Sequence, residues 1–141
     1  MNKYEAVLNF INTCPLAGAD GYFNFIDETN SGGNTSLMTG ALPTPYRTYV
    51  DGGKLFRMQF EIKQVKPYSQ QSNSSENAEQ FDKVQQFLDW INEQGENGNY
   101  PQFEGATVMG MECTSDMPII NGVNQNAALY SFPFEIYYKE D

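Results

Sequence analysis

Between residues 56 and 63 apolar and polar side chains alternate without a break, and this stretch constrains the fold more than any other part of the chain. Side chains on a strand point to opposite faces in turn, so the pattern predicts a strand with one apolar face and one charged face. The apolar face contains Phe56, Met58, Phe60 and Ile62, and the charged face contains Arg57, Gln59, Glu61 and Lys63. Just before it, Asp51-Gly52-Gly53 predicts a hairpin turn from a short strand over residues 46–50 rather than a phosphate-binding loop, because such a loop precedes a helix.

Apolar residues at three- and four-residue spacing predict a helix over residues 2–13. Asn2 and Glu5 stand three residues apart, the spacing of a capping box at a helix start. Pro15 predicts the end of the helix, because the residue before a proline avoids helical geometry.

The same periodicity predicts a second and longer helix over residues 75–94. Asn73 and Glu76 are in the positions of a cap and its partner at the start of this helix. Gly95 predicts its end, because glycine is the residue that most often terminates a helix.

Three further segments predict strands, namely residues 22–27, 105–114 and 127–138. Pro133 lies inside the last of them and has no N–H for a ladder, so we expect this strand at a sheet edge or with a bulge. Two polar segments rich in turn residues predict loops. They are residues 28–45, which could also hold a hairpin, and residues 115–126.

The order of these elements predicts a single α+β domain over residues 1–141, with a mostly antiparallel or mixed sheet and two helices packed on it. No apolar run reaches 18 residues, which argues against a transmembrane helix, and the N-terminus lacks the pattern of a signal peptide. The sequence therefore predicts a protein made in the cytoplasm. The two cysteines, Cys14 and Cys113, are expected to be free thiols.

The chain contains no histidine, which argues against the commonest catalytic and metal-binding arrangements. We expect no enzyme activity, no catalytic residue, no metal and no cofactor. The net charge of −10 arises from 18 acidic and 8 scattered basic residues, so neither specific nucleic-acid binding nor membrane binding is expected.

The closing strand is apolar or aromatic on both faces near Tyr137 and Tyr138. It could be buried on both sides within one domain, or it could pack against a neighbouring subunit, where tyrosine is enriched. On the opening strand, Arg57, Glu61 and Lys63 could pair across subunits or form an ordinary solvated face. These five side chains are the candidate subunit interface, together with the edge of the closing strand.

Several segments together resemble the small siphophage and prophage proteins called minor capsid or tail-terminator-like proteins. The matching segments are Cys14-Pro15-Leu16, the turn and strand that begin at Tyr49, the helix from Phe81 to Ile91, residues 97–101, and Ile136-Tyr137-Tyr138. The segment 28–45 does not match the pattern.

The resemblance implies a structural protein of the virion, made in the bacterial host cytoplasm. Such a protein assembles with itself into a ring, expected to be a hexamer, at the head-proximal end of the tail. Its partners would be the tail tube protein and a head-completion or connector protein. The alternative from the residues alone is a monomeric module that binds a small ligand or another protein.

Overall fold

The computed structural model describes residues 2–17, 22–23, 34–39, 44–48, 54–69, 75–123 and 127–140. In these residues the chain forms two helices, α1 (Lys3–Ile11) and α2 (Glu76–Glu96), together with seven strands. The strands are β1 (Tyr22–Phe23), β2 (Asn34–Thr39), β3 (Thr44–Thr48), β4 (Lys54–Pro67), β5 (Ala106–Cys113), β6 (Ile119–Val123) and β7 (Ala127–Glu140).

The sheet is built around the two long strands β4 and β7, which pair antiparallel from Leu55 opposite Lys139 to Pro67 opposite Ala127. The shorter strands β2 and β3 both pair with the other side of β4. In the same way β5 and β6 pair with the other side of β7. Only β1 runs parallel to its neighbour, β2, among the described strands. The predicted α+β domain with a mostly antiparallel, mixed sheet is therefore confirmed.

Both helices contribute to one core on the same face of this sheet, which contains the even-numbered residues of β4 and β7. Phe60 and Phe134 are cross-strand partners and their rings stack with centroids 5.3 Å apart. Tyr4 of α1 meets Phe60 edge-on at 6.4 Å, and Phe87 of α2 meets Phe132 edge-on at 5.6 Å. Each such pair adds about 0.5–1.5 kcal/mol beyond its buried area, so the aromatic residues hold both helices to the sheet.

Asn2 caps the start of α1, as the sequence predicted, although the reciprocal backbone bond of a full capping box is replaced by a contact between the two side chains. The Asn2 side-chain oxygen accepts a hydrogen bond from the Glu5 backbone N–H at 2.8 Å. Asn2 Nδ2 also donates to the Glu5 carboxylate at 3.3 Å. The start of α2 differs, because Ser75 is its N-cap residue and makes no side-chain capping bond. The predicted cap, Asn73, lies outside the described residues.

The prediction that Gly95 ends the second helix is wrong, because α2 continues through Gly95 to Glu96. The glycine has another role at this position. A Cβ placed on Gly95 would lie only 2.0 Å from the backbone oxygen of Met111 in β5. Gly95 therefore allows the helix backbone to approach the strand closely.

Both predicted loops contain strands. The segment 28–45 contains β2 and the first residues of β3, and the segment 115–126 contains β6. In β2, Leu37 is opposite Ile62 and is fully buried, so one apolar residue anchors a strand of otherwise turn-like composition. The buried Gln64 of β4 reinforces this pairing, because its Nε2 donates to Thr35 Oγ1 at 2.8 Å. Pairing with a long neighbouring strand thus overrides local preference.

The expectation that the closing strand lies at a sheet edge is also wrong, because β7 is central, between β4 and the pair β5 and β6. Pro133 is accommodated where β5 ends, opposite Phe134, and before β6 begins, opposite Ser131. Its carbonyl accepts from Thr114 N at 3.2 Å. In an antiparallel ladder the N–H and C=O of one residue point to the same side. The proline nitrogen therefore faces the gap between the end of β5 and the start of β6, so no hydrogen bond to β4 is lost.

Two further predictions fall outside the described residues. The strand predicted for residues 22–27 is described only at Tyr22–Phe23. The turn Asp51-Gly52-Gly53 is not described, although the strands on either side of it, β3 and β4, pair antiparallel as a hairpin requires.

Replacing Gly95 with alanine should lower the free energy of unfolding by about 1–3 kcal/mol, because the new methyl group would overlap the Met111 carbonyl. Urea unfolding followed by circular dichroism measures this loss. Gly122→Ala is the matched control, because a Cβ there meets no atom within 4 Å. Equal stability of the two variants would contradict the close approach of α2 to β5.

Candidate functional site

The side chains of β4 and β7 that point away from both helices form a continuous row, which we call the polar face. Its cross-strand pairs are Arg57 with Tyr137, Gln59 with Glu135, Glu61 with Pro133 and Lys63 with Ser131. Four of the five candidate interface residues, Arg57, Glu61, Lys63 and Tyr137, are therefore on one surface. The long β4–β7 register brings them together although they are far apart in sequence.

Glu135 is the centre of a hydrogen-bond network on the polar face. Its Oε1 accepts from Gln59 Nε2 at 3.0 Å, and its Oε2 accepts from the Tyr137 hydroxyl at 2.6 Å. The guanidinium Nη1 of Arg57 lies 3.8 Å from Oε1. Only 11% of the Glu135 side chain is exposed, so these partners replace much of the water that a carboxylate otherwise needs.

A second carboxylate lies across the other ladder, because Glu112 of β5 is directly opposite Glu135. Like charges in such positions repel each other. Glu112 is exposed and can turn into solvent, whereas Glu135 is buried against its three partners. The network thus fixes one negative charge at the middle of the face.

The outer parts of the polar face remain at the surface. Lys63 Nζ lies 3.4 Å from Glu61 Oε1 within the same strand, with 23% and 39% of their side chains exposed. Surface pairs of this kind contribute about 0–1 kcal/mol. The Arg57 side chain is 36% exposed, although its guanidinium lies near Glu135.

The neighbouring tyrosines of the closing strand lie on opposite faces. Tyr137 is on the polar face and is half-buried. Tyr138 lies in the core, where its ring stacks on Phe56 at 5.3 Å and is only 3% exposed. Tyr138 therefore is not on the polar face and does not contribute to it. The edge of the closing strand, the other interface candidate, is not free, because β7 is paired on both sides.

Sequence reasoning missed Glu135 and Gln59, which hold the network together. Each stands on the correct face of its strand by alternation. Their meeting depends on the register between two strands separated by about half of the chain, and no local signal specifies that register. The exposed apolar residues of β6, Ile119, Ile120 and Val123, were likewise not predicted.

Both cysteines are free thiols held in their protonated form. Burial and, to a smaller extent, the nearby Asp89 and Glu112 carboxylates raise the pKa of Cys113 to about 12. Burial also raises the pKa of Cys14, although backbone hydrogen bonds from Leu16 and Ala17 act in the opposite direction. Because the thiolate is the reactive form, both are poor nucleophiles.

Across the described ranges, no three acidic or cysteine side chains gather in a way that could hold a metal ion. Neither α1 nor α2 combines the length and the apolar character that crossing a membrane requires. No protein-family model matches the chain, and a search of curated proteins likewise finds no match. The polar face is therefore interpreted from its own geometry.

Replacing Glu135 with glutamine should lower the free energy of unfolding by about 1–3 kcal/mol, because a charged acceptor is lost beside Arg57 and Tyr137. Glu61→Gln makes the same chemical change at a surface pair and should cost less than about 1 kcal/mol. Urea unfolding of both variants at neutral pH measures the difference. Losses of equal size would show that the network does not stabilise the face.

The thiol pKa values predict very slow alkylation of the folded protein. At pH 8, a thiol with a pKa of about 12 is thiolate roughly a thousand times less often than a free cysteine. Iodoacetamide labelling followed by mass spectrometry should therefore modify Cys113 only after denaturation in urea. Rapid labelling of the native chain would contradict the burial of this thiol.

Proposed function

We propose that this chain is a structural subunit of a tailed phage or prophage virion. It acts by associating with copies of itself into a ring that completes the tail at its head-proximal end. The observation that supports this proposal best is the polar face, a row of charged and hydroxyl side chains that neither helix covers.

The polar face combines a rigid centre with adaptable flanks, as a recurring protein–protein contact requires. Glu135 is fixed by Gln59, Tyr137 and Arg57, while Glu61 and Lys63 keep part of their side chains at the surface. Charged groups at the rim of an interface steer association and set its orientation. The pattern is well suited to selecting one docking geometry between identical subunits.

Ring closure needs a heterologous contact, in which the polar face of one subunit meets a different patch on the next. The strong negative charge of the chain also suits a ring that DNA crosses without being held. With only 8 basic residues against 18 acidic ones, few contacts to phosphate are available. Further partners in this proposal are the tail tube protein and a head-completion protein.

The proposal predicts that the purified chain assembles, and that the assembly depends on Lys63. Size-exclusion chromatography with light scattering should give the mass of six chains of 15.9 kDa, about 95 kDa, or a whole multiple of it. Lys63→Glu should reduce the mass, because the new carboxylate joins those of Glu61 and Glu135 on the polar face and they repel the neighbouring subunit. High salt should weaken the wild-type assembly because the contact is electrostatic.

Lys83→Glu is the matched control, because it makes the same charge change on the exposed side of α2 and should leave the mass unchanged. A chain that remains monomeric at high concentration and does not bind purified tail tubes would contradict the proposal. That result would favour the alternative of a monomeric binding module.

A further inference from the structure

Among the described strands, β6 (Ile119–Val123) is at an edge of the sheet, because β7 is the one strand it pairs with. It pairs with β7 through Ile119 opposite Ser131 and Val123 opposite Ala128. No hydrogen bond connects β6 to any described residue outside β7. As far as the described residues go, its outer backbone N–H and C=O groups are therefore available to another strand, as at a sheet edge.

The neighbouring strand on the same side of β7 is covered, and the contrast is informative. The outer edge of β5 lies against α2, where Cys113 N donates to Asn92 Oδ1 at 2.8 Å and Gly95 touches the Met111 carbonyl. Gln85 of α2 also reaches the Asp116 carbonyl at 3.1 Å, in the turn before β6. The helix thus shields β5 and leaves the edge of β6 uncovered.

β6 exposes apolar side chains on both faces of the sheet. Ile119, Ile120 and Val123 are 58%, 49% and 51% exposed, and the adjoining Met117 is 59% exposed. Proteins protect edge strands with charges, prolines or bulges. Of these devices β6 has only a bulge, between Ile120 and Gly122, and it has no charge and no proline.

The lack of charge indicates which strand would pair with β6. In a chain with 18 carboxylates, most surfaces of two copies would repel each other at close range. The segment 119–123 has apolar residues at both ends and uncharged residues in the middle. An antiparallel copy of the segment therefore places Ile119 opposite Val123, Ile120 opposite Gly122 and Asn121 opposite itself, with no carboxylate opposite another.

We propose that β6 docks onto β6 of a second copy of this chain, antiparallel and across a two-fold axis, so that the two sheets become continuous. The contact goes beyond the proposed ring. It is isologous, whereas a ring needs heterologous contacts, and it uses the backbone edge of β6 and not the outward side chains of β4 and β7. The β6 contact therefore joins two copies of the assembly that the polar face forms and doubles its mass.

Ile120→Lys tests this contact, because an edge lysine blocks strand pairing without entering the core. Light scattering should show half of the wild-type mass, and thermal unfolding should show an intact fold. Met109→Lys is the matched control, because Met109 is equally exposed at 52% but stands on β5, and its mass should not change. An unchanged mass for Ile120→Lys would overturn the inference.

A covalent trap tests the geometry directly. Asn121→Cys introduces an exposed thiol at the middle residue of β6, which an antiparallel copy of the segment 119–123 places opposite itself, and both natural thiols have raised pKa values. Mild oxidation should convert most of the variant to a disulfide-linked dimer, while Met109→Cys should remain largely uncrosslinked. Equal crosslinking of the two variants would reject the two-fold contact.

The two proposals can fail separately. If Ile120→Lys halves the mass while Lys63→Glu leaves it unchanged, the β6 contact stands and the ring does not. If Lys63→Glu breaks the assembly while Ile120→Lys leaves it unchanged, the ring stands and the β6 contact does not.

Discussion

The pairing of β4 with β7 is the interaction on which the rest of the structure depends. These two strands run antiparallel from Leu55 opposite Lys139 to Pro67 opposite Ala127, and every short strand except β1 pairs with one of them. On the helix face the pairing stacks Phe60 on Phe134 and Phe56 on Tyr138. On the other face the same register brings Arg57, Gln59 and Tyr137 around Glu135. A slip by one residue would exchange the two faces, so the core and the polar face arise from a single register.

The sequence predicted the elements whose signals are local and failed where partners decide the outcome. The alternation in β4, the Asn2 cap of α1 and the apolar stripe of α2 were all visible, and with them the α+β class. The strands β2 and β6 were missed because their composition is that of loops, and only a long neighbouring strand makes them strands. Gly95 was misread because its close approach to Met111 depends on tertiary packing.

The candidate site was predicted in part for the same reason. Arg57, Glu61, Lys63 and Tyr137 could be placed on strand faces by alternation, and they do share one face. Tyr138 is one residue away and is buried in the core, which illustrates how sharply the two-residue period separates neighbours. Glu135 could not be found in advance, since its importance comes from partners on another strand and not from its own surroundings in the sequence.

Self-association is the central claim, and electron microscopy of the purified chain tests it most directly. Negatively stained particles at high protein concentration should be closed rings of uniform diameter around a central channel, single or joined in pairs. Fields that contain only particles of the size of one 15.9 kDa chain, with purified tail tubes left bare at their ends, would contradict the account.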